Sequence, residues 1–62
     1  MDRVKQLRIK NKMSQKELAE YLGVSEATYS KKENRKLRFS IKEAKKMADL
    51  YGESIENIFF AR

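Results

Sequence analysis

The stretch Ser14–Asn34, SQKELAEYLGVSEATYSKKEN, constrains this chain more than any other. Ser14 opens it as a helix N-cap, and Glu17, three residues on, can reach back to the Ser14 amide in a capping box. Leu18, Ala19 and Leu22 recur on one helical face. Gly23 falls where a helix C-terminus calls for a positive φ. Ser25 offers a second N-cap, and a second helix is predicted to run to about Glu33. The unit is therefore two short helices joined through Leu22-Gly23-Val24-Ser25, with Ala19 small enough for the helices to cross closely. The second helix contains one large apolar residue, Tyr29. Such a helix buries a narrow face and turns the rest to a polar partner or to water. On these residues alone the two readings are balanced.

Proline is absent, glycine occurs only at positions 23 and 52, and no strand-like alternation is sustained. The prediction is an all-α chain of five helices. Helix one spans about Arg3 to Asn11, capped by Asp2, with Val4 and Leu7 inward and Ile9 off the stripe. It must end at Asn11 or Lys12 without glycine, and asparagine tolerates the left-handed conformation better. Met13 then turns inward. The loop Asn34–Phe39, NRKLRF, is basic with two apolar residues. Ser40 and Glu43 form a second capping box, and Ile41, Ala44, Met47, Ala48 and Tyr51 follow at helical period until Gly52. Ser54 caps a fifth helix reaching about Phe60, with Ile55, Ile58 and Phe59 on one face and Phe60 turned away. Sixty-two residues suit one domain, 1–62. A domain this small buries only about 60% of its unfolded surface, so helix packing or a partner chain must stabilise it.

Cysteine and histidine are both absent, which excludes disulfides, thiolate zinc sites and imidazole chemistry. No glycine-rich phosphate loop is present, and the carboxylates read as caps or surface residues. The expectation is therefore no enzyme, no metal, no cofactor and no small-molecule ligand. No apolar run approaches the roughly 18 residues that span a bilayer, and no signal-peptide pattern appears, so no membrane partner and a cytoplasmic, nucleoid-associated location are expected. The net charge of +6 is unevenly spread. Residues 31–46 carry eight basic and two acidic side chains, net +6, between a first segment of net +2 and a last of net −2. That field suits a polyanion or, equally, a solvated lysine-rich face.

Two helices of this length, a glycine-containing turn and a polar second helix make a helix-turn-helix pattern. In such units the second helix enters the DNA major groove while the first lies across the backbone. The pattern S-Q-x-E-L-A-x-x-L-G-V-S, followed about eight residues later by E-N, resembles the phage Cro/C1 repressor family, also called the xenobiotic-response-element family. The tail SIKEAKKMADLYGESIENIF resembles that family's fourth and fifth helices. The similarity runs from about Arg3 to Phe59.

The resemblance implies a lambda-repressor-like fold with the helix-turn-helix at helices two and three. It implies sequence-specific binding to a double-stranded DNA operator and transcriptional regulation, as a repressor of phage or mobile-element type. Gln15, Glu26, Ala27, Thr28 and Lys31 fall at base-contacting positions. Ser14, Ser25, Asn34, Arg35, Lys36 and Arg38 fall where the backbone phosphates are met. Arg8 and Glu33 match a structural ion pair, and Leu18, Ala19, Leu22, Val24 and Tyr29 match core positions. Lys42, Lys45 and Lys46 read as a solvated face of helix four. Ile58, Phe59 and Phe60 crowd the last helix and suggest a homodimer, at least on DNA.

Three positions depart from the family pattern. Arg35 and Lys12 stand where glycine is usual, and Lys32 replaces a large apolar residue, its stem expected along the core edge. Asn34 is expected to take the left-handed conformation in place of the missing glycine. Alternative functions are an autorepressing antitoxin, or a protein-interaction module without DNA binding. RNA is disfavoured, because its deep major groove excludes a helix and no aromatic stacking platform is evident.

Overall fold

The computed structural model describes residues 3–60. Among these the chain forms five helices and no strand: α1 (Arg3–Lys10), α2 (Gln15–Leu22), α3 (Glu26–Glu33), α4 (Ile41–Tyr51) and α5 (Ile55–Phe59). The helix N-caps follow the serines. Ser14, Ser25, Ser40 and Ser54 each accept a hydrogen bond from the amide three residues ahead, and Ser14 and Ser40 complete capping boxes with Glu17 and Glu43. The expected Asp2 cap lies outside the described residues.

The exits of α1, α2, α3 and α4 share a left-handed residue. Lys12, Gly23, Arg35 and Gly52 are the positive-φ residues among those described, and each sits just past a helix. After α1 the Lys12 amide donates to Ile9 and the Met13 amide to Arg8; after α3 the Arg35 amide donates to Lys32 and the Lys36 amide to Lys31. The pattern recurs after α2, from Gly23 to Glu20 and Val24 to Ala19. This is the Schellman closure, which demands a left-handed residue at one fixed place. Position therefore outweighs residue preference. Asn34 keeps φ −86° while Arg35 takes φ 64°, correcting the expectation for Asn34. Lys12 rather than Asn11 takes φ 57°, and Asn11 instead donates its side-chain amide to Leu7 O at 2.7 Å.

Val4, Leu7, Leu18, Ala19, Leu22, Tyr29, Met47 and Ile58 form the buried core. α2 packs on α3 and α4, while α5 packs on α4 and α1. Phe39, in the loop before α4, lies between Tyr29 and Phe59, with ring centroids 6.1 and 5.6 Å away in tilted contacts. This aromatic row anchors the basic loop to the core, a role its sequence did not reveal.

Two expectations for apolar residues are corrected. Ile41 is 75% exposed, because the first residue of α4 projects beyond the core that Ala44 and Met47 reach. Ile58 is 2% exposed inside its own core, so it is not available as a dimer contact. Phe59 is half-buried against Phe39, and Phe60 is open to solvent.

Candidate nucleic-acid interface

α3 is held by its buried side. Tyr29 is fully buried, and Glu33 is 3% exposed. Glu33 Oε1 accepts from Arg8 Nη2 at 3.1 Å, and Glu33 Oε2 accepts from Gln15 Nε2 at 2.9 Å. Arg8 also donates to Met13 O at 2.9 Å. Burial alone would lower the Arg8 pKa, but the bond to Glu33 and its charge outweigh burial and raise it. One buried carboxylate thus joins α1, the start of α2 and the end of α3. It fixes the crossing of the two motif helices, which the small Ala19 allows.

The other side of α3 is open. Glu26, Ala27, Lys31 and Asn34 are exposed and Ser30 is half-buried. At about 100° per residue, these five lie in one arc of roughly 140°. Thr28 is half-buried beside that arc, and its hydroxyl oxygen accepts from Ser25 Oγ at 2.9 Å. Ser25 Oγ in turn accepts the Thr28 amide at 3.1 Å, so both hydroxyls are already engaged with one another. Ser30, inside the arc, went unnoticed in the sequence, although helical periodicity alone places it between Glu26 and Asn34. Asn34 Nδ2 lies 3.4 Å from Ser30 Oγ on the same face.

Gln15 is half-buried, with one amide N–H committed to Glu33. Its carbonyl oxygen and second N–H are left to meet another molecule. Ser14, beside it, is exposed, with its hydroxyl accepting the Glu17 amide.

The charge pattern sharpens in three dimensions. Both carboxylates of the segment 31–46 are buried and paired. Glu33 takes Arg8, and Glu43 takes Lys32 at 2.6 Å. Lys32 is therefore not simply a stem along the core edge. Its ammonium is bound to Glu43 and sits 6.0 Å from the Phe39 ring centroid. Burial would raise the Glu43 pKa, but the bonds from Lys32 and from the Ser40 amide prevail and lower it. What the segment shows to solvent is cationic: Lys31, Arg35, Lys36, Arg38, Lys42 and Lys45 are all exposed. Lys31, Arg35, Lys36 and Arg38 continue directly from the open face of α3 through the loop that follows it.

Among the described residues no cluster of acidic side chains could hold a metal ion, and no helix is long and apolar enough to cross a membrane. No curated protein and no solved structure matches the chain. A family model described as helix-turn-helix matches residues 4–58, nearly the whole chain, taking in α2, α3 and α4 entirely and all but one residue each of α1 and α5. The chain belongs to the Cro/C1-type helix-turn-helix family of DNA-binding regulators.

Proposed function

We propose that the chain acts as a single sequence-specific DNA-binding domain, inserting α3 into the major groove of an operator and repressing transcription from it. The observation that carries this reading is the continuity of the open face of α3 with an unpaired cationic loop. Glu26, Ala27, Thr28 and Lys31 address base edges, with Gln15 reaching them from the start of α2. Ser14, Ser25, Asn34, Arg35, Lys36 and Arg38 address phosphates on either side. Glu26 accepts from cytosine N4 and repels sequences that would bring phosphate closer. Lys42 and Lys45 extend the positive field without entering the groove.

Two copies on a two-fold operator would place their α3 helices one helical turn apart, about 34 Å. Phe60, exposed at the end of α5, and the open edge of Phe59 are the residues available for such a contact. Mobility-shift selection from a random duplex pool tests the whole reading. The expected result is a recurring half-site, bound with an affinity that falls steeply as salt rises. Recovery of no motif, with no salt-sensitive binding to any duplex, overturns it. A gene-expression reporter under the selected site then separates repression from activation. An autorepressing antitoxin would fit the same interface; no observation on this chain favours it.

A further inference from the structure

A groove of about 860 Å³ opens between the loop after α3, the start of α4 and α5. Leu37, Ile41 and Phe60 line it and are 45%, 75% and 72% exposed, unusual concentrations of open apolar surface on so small a chain. Its charged lining is all of one sign: Arg3, Lys32, Arg35 and Arg38, with no carboxylate. Lys32 is neutralised by Glu43, and Arg3 lies 3.4 Å from Glu53. Arg35 and Arg38 have no ion pair among the described residues. The groove is thus an apolar trough with two free guanidiniums at its rim.

We propose that this groove docks an amphipathic helix of a partner protein, one that carries carboxylates along the edges of its apolar face. The apolar face covers Ile41, Leu37 and Phe60, and the carboxylates pair with Arg35 and Arg38. Other occupants match less well. Two free copies meeting face to face would bring two Arg35 and two Arg38 side chains together with no carboxylate from the lining to offset them. A bare phosphate backbone would satisfy the arginines and leave the apolar walls wet. A planar headgroup surface does not enter a trough. Because Arg35 and Arg38 also serve the phosphate contacts proposed above, a partner seated here displaces DNA; that consequence rests on the DNA-binding reading. The groove would then be a point of control, where an acidic partner releases the regulator from its operator.

The probe is a labelled helical peptide of about 15 residues, long enough to hold a helix, with leucines on one face flanked by glutamates. A lysine-for-glutamate version serves as its counterpart. Fluorescence anisotropy on the full chain should show binding of the glutamate peptide only. Ile41→Ser should weaken it about tenfold, the scale of one lost apolar contact, with the helical spectrum and single half-site duplex affinity unchanged. Saturating glutamate peptide should release a bound duplex. Equal binding of both peptides, or no effect of Ile41→Ser, overturns the proposal. So does concentration-dependent self-association of the free chain, or partition onto phosphatidylglycerol vesicles, if Ile41→Ser abolishes either one instead. A duplex unmoved by bound peptide overturns the displacement. Peptide binding by a chain that binds no duplex would leave the groove standing and remove the DNA reading.

Discussion

Gln15 and Glu33, eighteen residues apart, are joined by a 2.9 Å hydrogen bond that ties the first turn of α2 to the last turn of α3. The same carboxylate holds Arg8, with side chains 2% and 11% exposed respectively. Removing one partner of a buried pair strands the other, at about 3–5 kcal/mol. A domain of this size commonly has no more than ~3–5 kcal/mol in total. Glu33→Ala is therefore expected to leave the chain largely unfolded even at the zero-urea end of a urea titration. Gln15→Ala should cost only about 1 kcal/mol. It should still weaken duplex binding, because the crossing angle of α2 and α3 loses its tie.

Lys12 and Arg35 hold left-handed backbone without being glycine. That conformation costs an L-residue about 1–2 kcal/mol, partly offset by the extra unfolded-state entropy glycine brings. Lys12→Gly should raise stability by ~0.5–1 kcal/mol, seen as a higher urea midpoint at constant slope. Arg35→Gly should stabilise by a similar amount and, on the DNA-binding reading, weaken duplex affinity. Opposite signs for stability and affinity at Arg35 would mark a strained residue kept for contact.

Lys32 and Glu43 give a pH prediction. The Glu43 carboxyl is held below its ordinary value of 4.5 in the folded chain. A depressed carboxylate contributes stability above its unfolded pKa and loses it as pH falls through the folded one. Glu43→Gln keeps the capping box, since glutamine also serves there, but leaves Lys32 half-buried and unpaired. The variant should be less stable than the parent by about 1–3 kcal/mol at pH 7. The gap should narrow steadily below about pH 4.5 in thermal melts. A gap that stays constant into acid would show that the charge of Glu43 contributes nothing.

Much of this architecture was legible because serines and glycines punctuate it. Four serine caps and two glycine exits bracket α2, α3, α4 and α5 almost to the residue. The errors fall where a residue's own preference was weighed above its place. Asn34 looked like the left-handed residue, but the Schellman hydrogen bonds assign that place to Arg35. Ile41 shares the period of Ala44 and Met47, yet period cannot say where the core ends. Ile58 was read as a partner contact because three apolar residues crowd the end of the chain, although α5 turns Ile58 into the domain's own core. The bonds from Lys32 to Glu43 and from Gln15 to Glu33 join residues on different helices, so no local pattern announces them. Phe39 was hidden for the same reason: its two aromatic neighbours lie on α3 and α5.

Tyr29, fully buried, and Tyr51, half-buried, give an alkaline prediction. The hydroxyl oxygens of Tyr29 and Tyr51 are buried. Burial foremost, with the Glu33 carboxylate adding to it, raises the Tyr29 pKa. Burial pushes Tyr51 up to about 12, against the opposing charge of Arg8. A raised phenol contributes stability that is complete below its unfolded value of 10 and is lost as pH rises toward the folded one. Stability should fall between about pH 10 and 12, with loss of helix coinciding with a cooperative rise in tyrosinate absorbance. Tyr51→Phe removes one such group and should move the transition to higher pH. An unchanged midpoint would exclude Tyr51 as a cause.

Lys31 gives the sharpest test of the DNA-binding proposal. It is exposed at one end of the open arc, next to the loop cations. If its ammonium reaches guanine O6 or N7, Lys31→Ala should cost ~1–3 kcal/mol on the selected site and much less on a duplex altered at that base pair. If it meets phosphate, the loss should be uniform across sequences, and the slope of log affinity against log salt should shrink by about 1. Arg38→Ala supplies the comparison, since Arg38 lies in the loop after α3 and is proposed to meet phosphate. It should lose affinity uniformly and reduce the salt slope by about 1. Matching behaviour of the two variants would demote Lys31 to a phosphate contact and leave base reading to Gln15, Glu26, Ala27 and Thr28. Divergence, with Lys31→Ala selective and Arg38→Ala uniform, would separate the reading helix from the loop that anchors it.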